Sequence, residues 1–250
     1  MNLPAGTEEY QETHNGIAIQ GFSYTENNIQ QSAETIADIC FDVSGQNNFN
    51  DYIASLNETG FNNSNLALSS IKDWQVGEGF AEAYLGCHFS CCFPWSNNRD
   101  LKNPNSSLTG ADLVGYCNGQ FAFGEVKTSK EQKSPPQVTS KKGDGLNAQL
   151  NKLCADADVR RVLVQYLFYR QTDDAEYQSA FTSYLQNNKN FYIFGVLIRN
   201  TSPVSNDWNY LKKHLKPHAQ NSVFLVGLYL PVDDGIQKLH QGVLSAGGAS

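Results

Sequence analysis

The chain has 250 residues, 40% of them hydrophobic and only 17% charged, so it can bury a core of its own behind a surface made polar by amides and hydroxyls more than by ions. The formal net charge of -7 has the wrong sign for gripping a polyanion by bulk electrostatics; any such grip needs a local basic patch or a partner subunit. No stretch reaches the length of a membrane span, and the opening MNLPAGTEEYQE has neither a basic nor an apolar leader segment. Six cysteines without an export signal read as reduced thiols. These features together predict a soluble, cytoplasmic protein with no membrane partner.

Along the chain, residues 1–68 are Asn-rich and weakly periodic, with an apolar run near Gly16–Phe22 and helices predicted around Ile29–Phe41 and Phe49–Leu56. They are predicted to form an N-terminal cap, or partner-binding region, on a core spanning 69–232, with 233–250 as a C-terminal tail. From Ser69 the apolar residues Ile71, Trp74, Phe80, Tyr84 and Leu85 recur at helical spacing, and Glu78 and Glu82 stand one turn apart. The segment CHFSCCFPW then predicts a short strand. Asp112–Tyr116 and Gln120–Lys127 predict two strands joined at Asn118–Gly119, the dipeptide favoured in two-residue hairpins.

After a Lys- and Pro-containing loop, Lys130–Gly145, the pattern is helical from Leu146 to Arg170, although VRRVLVQYLFY carries enough β-branched and aromatic residues to include a strand. A helix at Ala175–Gln186, a buried strand at FYIFGVLIR, a helix at Asp207–Leu215 and a second apolar strand at SVFLVGLYLP complete the core. The predicted class is α/β, with a mixed central sheet flanked by helices.

Three residues within this pattern carry chemistry. Side chains alternate along a strand, so Glu125 and Lys127 share one face; folding at Asn118–Gly119 brings Asp112 across the ladder from them. Two carboxylates and an ammonium then share a pocket. Carboxylates on adjacent strands suit Mg²⁺, with Mn²⁺ as a possible substitute, because Mg²⁺ takes one or two protein carboxylates and keeps several waters for phosphate oxygens. Lys127 can orient or help deprotonate a nucleophilic water and can stabilise charge at phosphorus. Glu78 is the candidate for an outer metal ligand from the preceding helix, with Glu82 the alternative. Gly77, Gly79, Ala81 and Ala83 would let that helix lie close to the sheet.

The segment from Thr109 to Lys127, TGADLVG followed by GEVK, resembles the PD-(D/E)xK nuclease motif, with Gly110–Ala111 where that family often has Pro. The resemblance implies a restriction-endonuclease-like core with Asp112, Glu125 and Lys127 catalytic, and a metal-dependent cleavage of DNA phosphodiesters. More narrowly, GEGFAEAYL, SLTGADLVG and FAFGEVK are similar to the nuclease subunits of helicase-partnered anti-phage systems of the Hachiman type. That implies a DNase effector with a helicase or ATPase partner. Relatives of the RecB type often follow the lysine with a Gln-x-x-x-Tyr helix; Gln149 stands in a predicted helix, but position 153 is Leu153, so Gln149 is a lesser candidate.

Lys127, Lys130, Lys133, Lys141 and Lys142 lie within sixteen residues with only Glu131 to offset them; the last four lysines are candidates for phosphate contact. Cys87, His88, Cys91 and Cys92 lack the downstream partner pair of a closed zinc site and read as structural. His214 and His218, among Lys212, Lys213 and Lys216, read as exposed helix residues. Nothing resembles a phosphate-binding Gly-rich loop, so no nucleotide cofactor is predicted. Two other readings stay open: a catalytically silent docking module on the nuclease fold, and a site-specific restriction-type homodimer.

Overall fold

The structure, a computed structural model, describes residues 2–41, 71–94, 110–171 and 173–247. Seven strands form one mixed sheet in the order β1-β2-β7-β6-β5-β4-β3. β1 (Thr7–His14) and β2 (Ile17–Ser23) form an antiparallel hairpin closed by Asn15 and Gly16, whose φ angles are 49° and 80°. β3 (Cys91–Cys92), β4 (Leu113–Cys117) and β5 (Gln120–Ser129) form the opposite, antiparallel edge, β4 turning into β5 through Asn118 and Gly119 with φ of 49° and 70°. Both turns need two left-handed residues in a row, which the Asn-Gly pair supplies at little steric cost. Between the edges, β5, β6 (Tyr192–Arg199), β7 (Ser222–Tyr229) and β2 run parallel.

Strand alternation divides the core in two. On one face, Ala122 and Val126 of β5, Phe194, Val196 and Ile198 of β6, and Val226 and Leu228 of β7 pack against α1 (Glu26–Cys40), α2 (Asp73–Phe89) and α8 (Gly235–Gly247). On the other, Phe121, Phe123, Ile193, Leu197, Val223 and Leu225 meet α4 (Leu146–Ala155), α5 (Ala157–Gln171), α6 (Ala175–Gln186) and α7 (Asn209–His214). Burying each such large apolar side chain stabilises the fold by about 1.5–3 kcal/mol. A single turn, α3 (Gln137–Ser140), sits in the loop after β5, and a 3₁₀ turn at Ser205–Trp208 precedes α7. Among the described residues, no helix is long and apolar enough to cross a membrane.

Several elements differ from the sequence reading for identifiable reasons. The described part of the expected N-terminal cap belongs to the main sheet: β2 pairs with β7 from Ile17↔Val223 to Ser23↔Tyr229. The predicted helix Phe49–Leu56 lies outside the described residues. The expected tail contains α8, whose Ile236, Leu239 and Val243 are buried at one-turn spacing, in the same core cluster as α1. The segment CHFSCCFPW is not one strand. α2 continues through Cys87 and His88 to Phe89, and Ser90 ends it in the left-handed conformation at φ 56°, leaving only Cys91–Cys92 to pair with β4. The long helix from Leu146 is two helices: the Asp156 carboxylate accepts the N–H groups of Asp158 and Val159 at 3.0 Å and starts α5. VRRVLVQYLFY is helical throughout.

Candidate active site

β5 is a fully hydrogen-bonded strand between β4 and β6 up to Gly124; beyond it β4 ends, so the last residues of β5 lose their partner on one side. Glu125 and Lys127 stand in this stretch and face the α4 side of the sheet, continuing the row of Phe121 and Phe123. The opening left by β4 is filled by Asp112. Its N–H donates to the Gly124 carbonyl at 3.0 Å, and its Oδ2 accepts the Val126 N–H at 2.8 Å. A side chain thus takes over the ladder where the backbone stops, and Asp112 comes to lie beside Glu125.

Glu125 is only 1% exposed, and its Oε1 accepts a hydrogen bond from Lys127 Nζ at 2.6 Å. Its Oε2 is buried and has no hydrogen-bond partner among the described residues. A buried carboxylate oxygen without a donor is costly, and the group beside Glu125 is the Asp112 carboxyl, which acts on it by charge and by a side-chain hydrogen bond. Burial, then the Asp112 carboxylate, push the Glu125 carboxyl well above the ordinary range, and Lys127 only partly offsets them. Burial pulls Lys127 down, but the charges of Glu125 and Asp112, with a smaller contribution from Glu78, more than reverse this and raise it.

The structure therefore gathers Asp112, Glu125 and Lys127. It does not gather Glu78 with them as a third carboxylate: among the described residues no three His, Cys, Asp or Glu side chains are placed to hold a metal ion. The reason is architectural. Glu78 is on α2, which packs on the sheet face opposite the Glu125 side chain, and its charge is felt at Lys127. α2 comes close to β5 because Gly77 has no side chain; a Cβ there would meet Thr128 Oγ1 at 2.1 Å. Glu82 is buried one turn further on, where its charge acts on Cys40 ahead of that of Glu78. Of the two helix acids, Glu78 is the one whose charge contributes to raising Lys127.

Two carboxylates from neighbouring strands fit Mg²⁺ better than a closed protein cage does, since that ion keeps most of its waters. Asp112 and Glu125 are the residues that could hold it, with the donorless Oε2 as the natural ligand. The cysteine segment is different in kind. Cys91 lies across the ladder from Cys117, whose thiol donates to the Phe89 carbonyl at 3.1 Å, and the His88 ring packs 4.7 Å from that of Tyr84.

Of the four lysines expected to contact phosphate, Lys130 is ion-paired to Asp73 and Lys141 to Asp144, both at 2.7 Å, while Lys133 and Lys142 are exposed. Asp73 was missed by sequence reading: although burial works against it, Lys130 and His240 hold its carboxyl below the usual range. Asp144 was also missed. It is held low by Lys141, with a contribution from Lys127, so the Lys141–Gly145 turn lies near the site. The signal for that turn was present in Gly143, which takes φ 84°. Gln149 falls one residue before Leu150 on α4, half-buried, with its Oε1 buried and without a hydrogen-bond partner among the described residues. Leu150 packs at Gly195, the β6 residue that pairs with Glu125. No protein-family model and no curated protein matches the chain.

Proposed function

We propose that this chain is a Mg²⁺-dependent deoxyribonuclease of the PD-(D/E)xK type with a restriction-endonuclease-like core. The observation that carries the reading is the meeting of Asp112, Glu125 and Lys127 at the point where β4 leaves β5, with Glu125 Oε2 buried and without a donor among the described residues. Bound Mg²⁺ would supply a water of lowered pKa and a charge to neutralise the phosphate. Asp112 and Glu125 would hold the ion, and Val126 N–H fixes the Asp112 carboxylate for that task. Lys127 is raised, so it stays an ammonium and acts as a donor rather than as a base. One of its three N–H bonds goes to Glu125; the other two are available to the attacking water and to a non-bridging phosphate oxygen.

The helix-strand-hairpin-helix order around these residues supports the same reading, as does the sequence resemblance to helicase-partnered defence nucleases. We extend the proposal accordingly to a cytoplasmic effector that works with a helicase or ATPase subunit. The test is cleavage of plasmid and single-stranded DNA by the full chain, with and without the partner. Activity should appear with Mg²⁺ or Mn²⁺, vanish with EDTA, and be lost in Glu125→Ala and Lys127→Ala variants that keep the parent's melting temperature within a few degrees. Undiminished cleavage by either variant would refute the assignment. No metal-dependent cleavage at all would favour a silent docking module, and discrete fragments from the isolated chain a restriction-type homodimer.

A further inference from the structure

The basic loop after β5 is half neutralised by Asp73 and Asp144, yet a second set of cations has no such partners. Lys152 of α4, Lys189 ahead of β6, Lys213 of α7 and Lys216 just beyond it are all exposed, and none makes an ion pair among the described residues. Hydrogen bonds stitch the segments that carry them into one surface. Asn151 Nδ2 donates to the His214 carbonyl at 3.1 Å, and its Oδ1 accepts the Lys216 N–H at 2.9 Å, which fixes the end of α7 against α4 beside Lys152. Asn221 Nδ2 donates to the Lys189 carbonyl at 2.7 Å, and its Oδ1 accepts the His218 N–H at 2.9 Å, which ties the loop before β7 to the loop before β6.

No acid lies between Tyr210 and Ser222, or between Gln186 and Arg199. Beyond Lys152 the next acids are Asp156, which caps α5, and the exposed Asp158 in its first turn. In a chain of net charge -7, this is a concentrated positive field on an otherwise acidic body.

The topology aligns this patch with the candidate site. Both lie on the α4 face of the sheet, the site toward the C-terminal end of β5 and the patch where β6 and β7 begin. Lys127 pairs with Leu197, five residues beyond Tyr192, so at about 3.3 Å per residue the separation along the strand is roughly 16 Å, to which the loops add more. That spacing corresponds to about five to seven nucleotides at 3.4 Å each.

We propose that the surface formed by Lys152, Lys189, Lys213 and Lys216 is a nucleic-acid backbone contact that seats the stretch of nucleic acid about five to seven nucleotides from the phosphate at Lys127. Its choice of ligand rests on the nuclease reading; its measurement does not. The experiment uses the full-length Glu125→Ala chain in EDTA and follows anisotropy of a labelled DNA duplex of about 20 base pairs across a salt series. Replacing all four lysines with Ala should weaken binding at least tenfold at about 0.1 M salt and flatten the log K against log salt slope by about 3.6, since each neutralised phosphate contributes about 0.9. The corresponding Lys→Arg set should bind as the parent does. If the quadruple Ala variant does not fold, Lys213→Ala with Lys216→Ala should give about half the slope change.

Binding and slope unchanged within about twofold would overturn the proposal. So would a parent that ignores DNA but binds polyglutamate through these lysines, which would mark the surface for an acidic protein. Cleavage by the unmodified chain is scored separately: DNA binding through the patch without Mg²⁺-dependent cutting sinks the nuclease reading alone, and cutting without patch-dependent binding sinks this proposal alone.

Discussion

Asp112 and Val126 are joined by a hydrogen bond of 2.8 Å from the Val126 N–H to Asp112 Oδ2, so the residue proposed to hold a metal also closes the end of the β4–β5 ladder. The two roles separate by substitution. Asp112→Asn keeps an oxygen acceptor for the N–H and removes the charge; Asp112→Ala removes both. Cleavage should be lost in both variants, whereas unfolding stability should fall by about 1–3 kcal/mol only in the Ala variant, the range for a buried donor left unsatisfied. Equal melting temperatures for the two variants would show that the bond contributes nothing to the fold.

The hairpin that brings Asp112 to Glu125 was legible from Asn118–Gly119 and the alternation on either side, and the strands Tyr192–Arg199 and Ser222–Tyr229 were legible as apolar runs because parallel central strands are buried on both faces. β1 was not. Its sequence TEEYQETH is polar because an edge strand needs little apolar surface, although the Asn15–Gly16 turn after it is the same signal that marked the second hairpin. Spacing also placed Glu78 and Glu82 on one helix face, but could not tell which sheet face that helix covers; only the packing of Gly77 on Thr128 decides it. Likewise, composition counted Lys130 and Lys141 as free cations: Asp73 is brought to Lys130 by tertiary structure alone, whereas Asp144 pairs with Lys141 across the short turn at Gly143, whose signal was in the sequence.

The close approach at Gly77 gives a prediction about stability. An added methyl would fall 2.1 Å from Thr128 Oγ1, so Gly77→Ala should destabilise the chain by about 1–3 kcal/mol, the usual size of core overpacking. Thr128→Ala in the same chain should recover much of that loss, and a double-mutant cycle by denaturant unfolding would show coupling well above about 0.5 kcal/mol. Additive losses would mean that α2 does not pack on β5 at this pair.

The two helix acids should separate by their effect on Lys127. The charge of Glu78 helps to raise that lysine, whereas the charge of Glu82 is felt at Cys40. Glu78→Gln should therefore move the alkaline limb of the cleavage profile to lower pH, and Glu82→Gln should leave it in place. A pH-rate series on the three proteins at saturating Mg²⁺ decides the matter; an equal shift in both variants would remove the distinction.

Glu125 should set the pH dependence of folding and, on the proposed nuclease reading, of Mg²⁺ binding. Its carboxyl is raised well above the ordinary range by burial and by Asp112, so the folded chain holds that proton more tightly than the unfolded one. The stability it contributes is complete below the ordinary glutamate pKa of about 4.3 and is lost as pH rises toward the raised value. Glu125→Gln mimics the protonated form at every pH. Its melting temperature should match the parent near pH 4 and exceed it increasingly from pH 5 to 8, by about 2–4 °C for each kcal/mol recovered in a chain of this size. Mg²⁺ requires the deprotonated carboxylate, so its binding to the parent should release a proton and tighten by up to tenfold per pH unit below the raised pKa. Calorimetric titration of Mg²⁺ in buffers of different ionisation heat measures that proton directly. A parent that binds Mg²⁺ with no proton release at pH 6 would show that Glu125 is already ionised there, and that the buried Oε2 is held by something other than a proton or a metal.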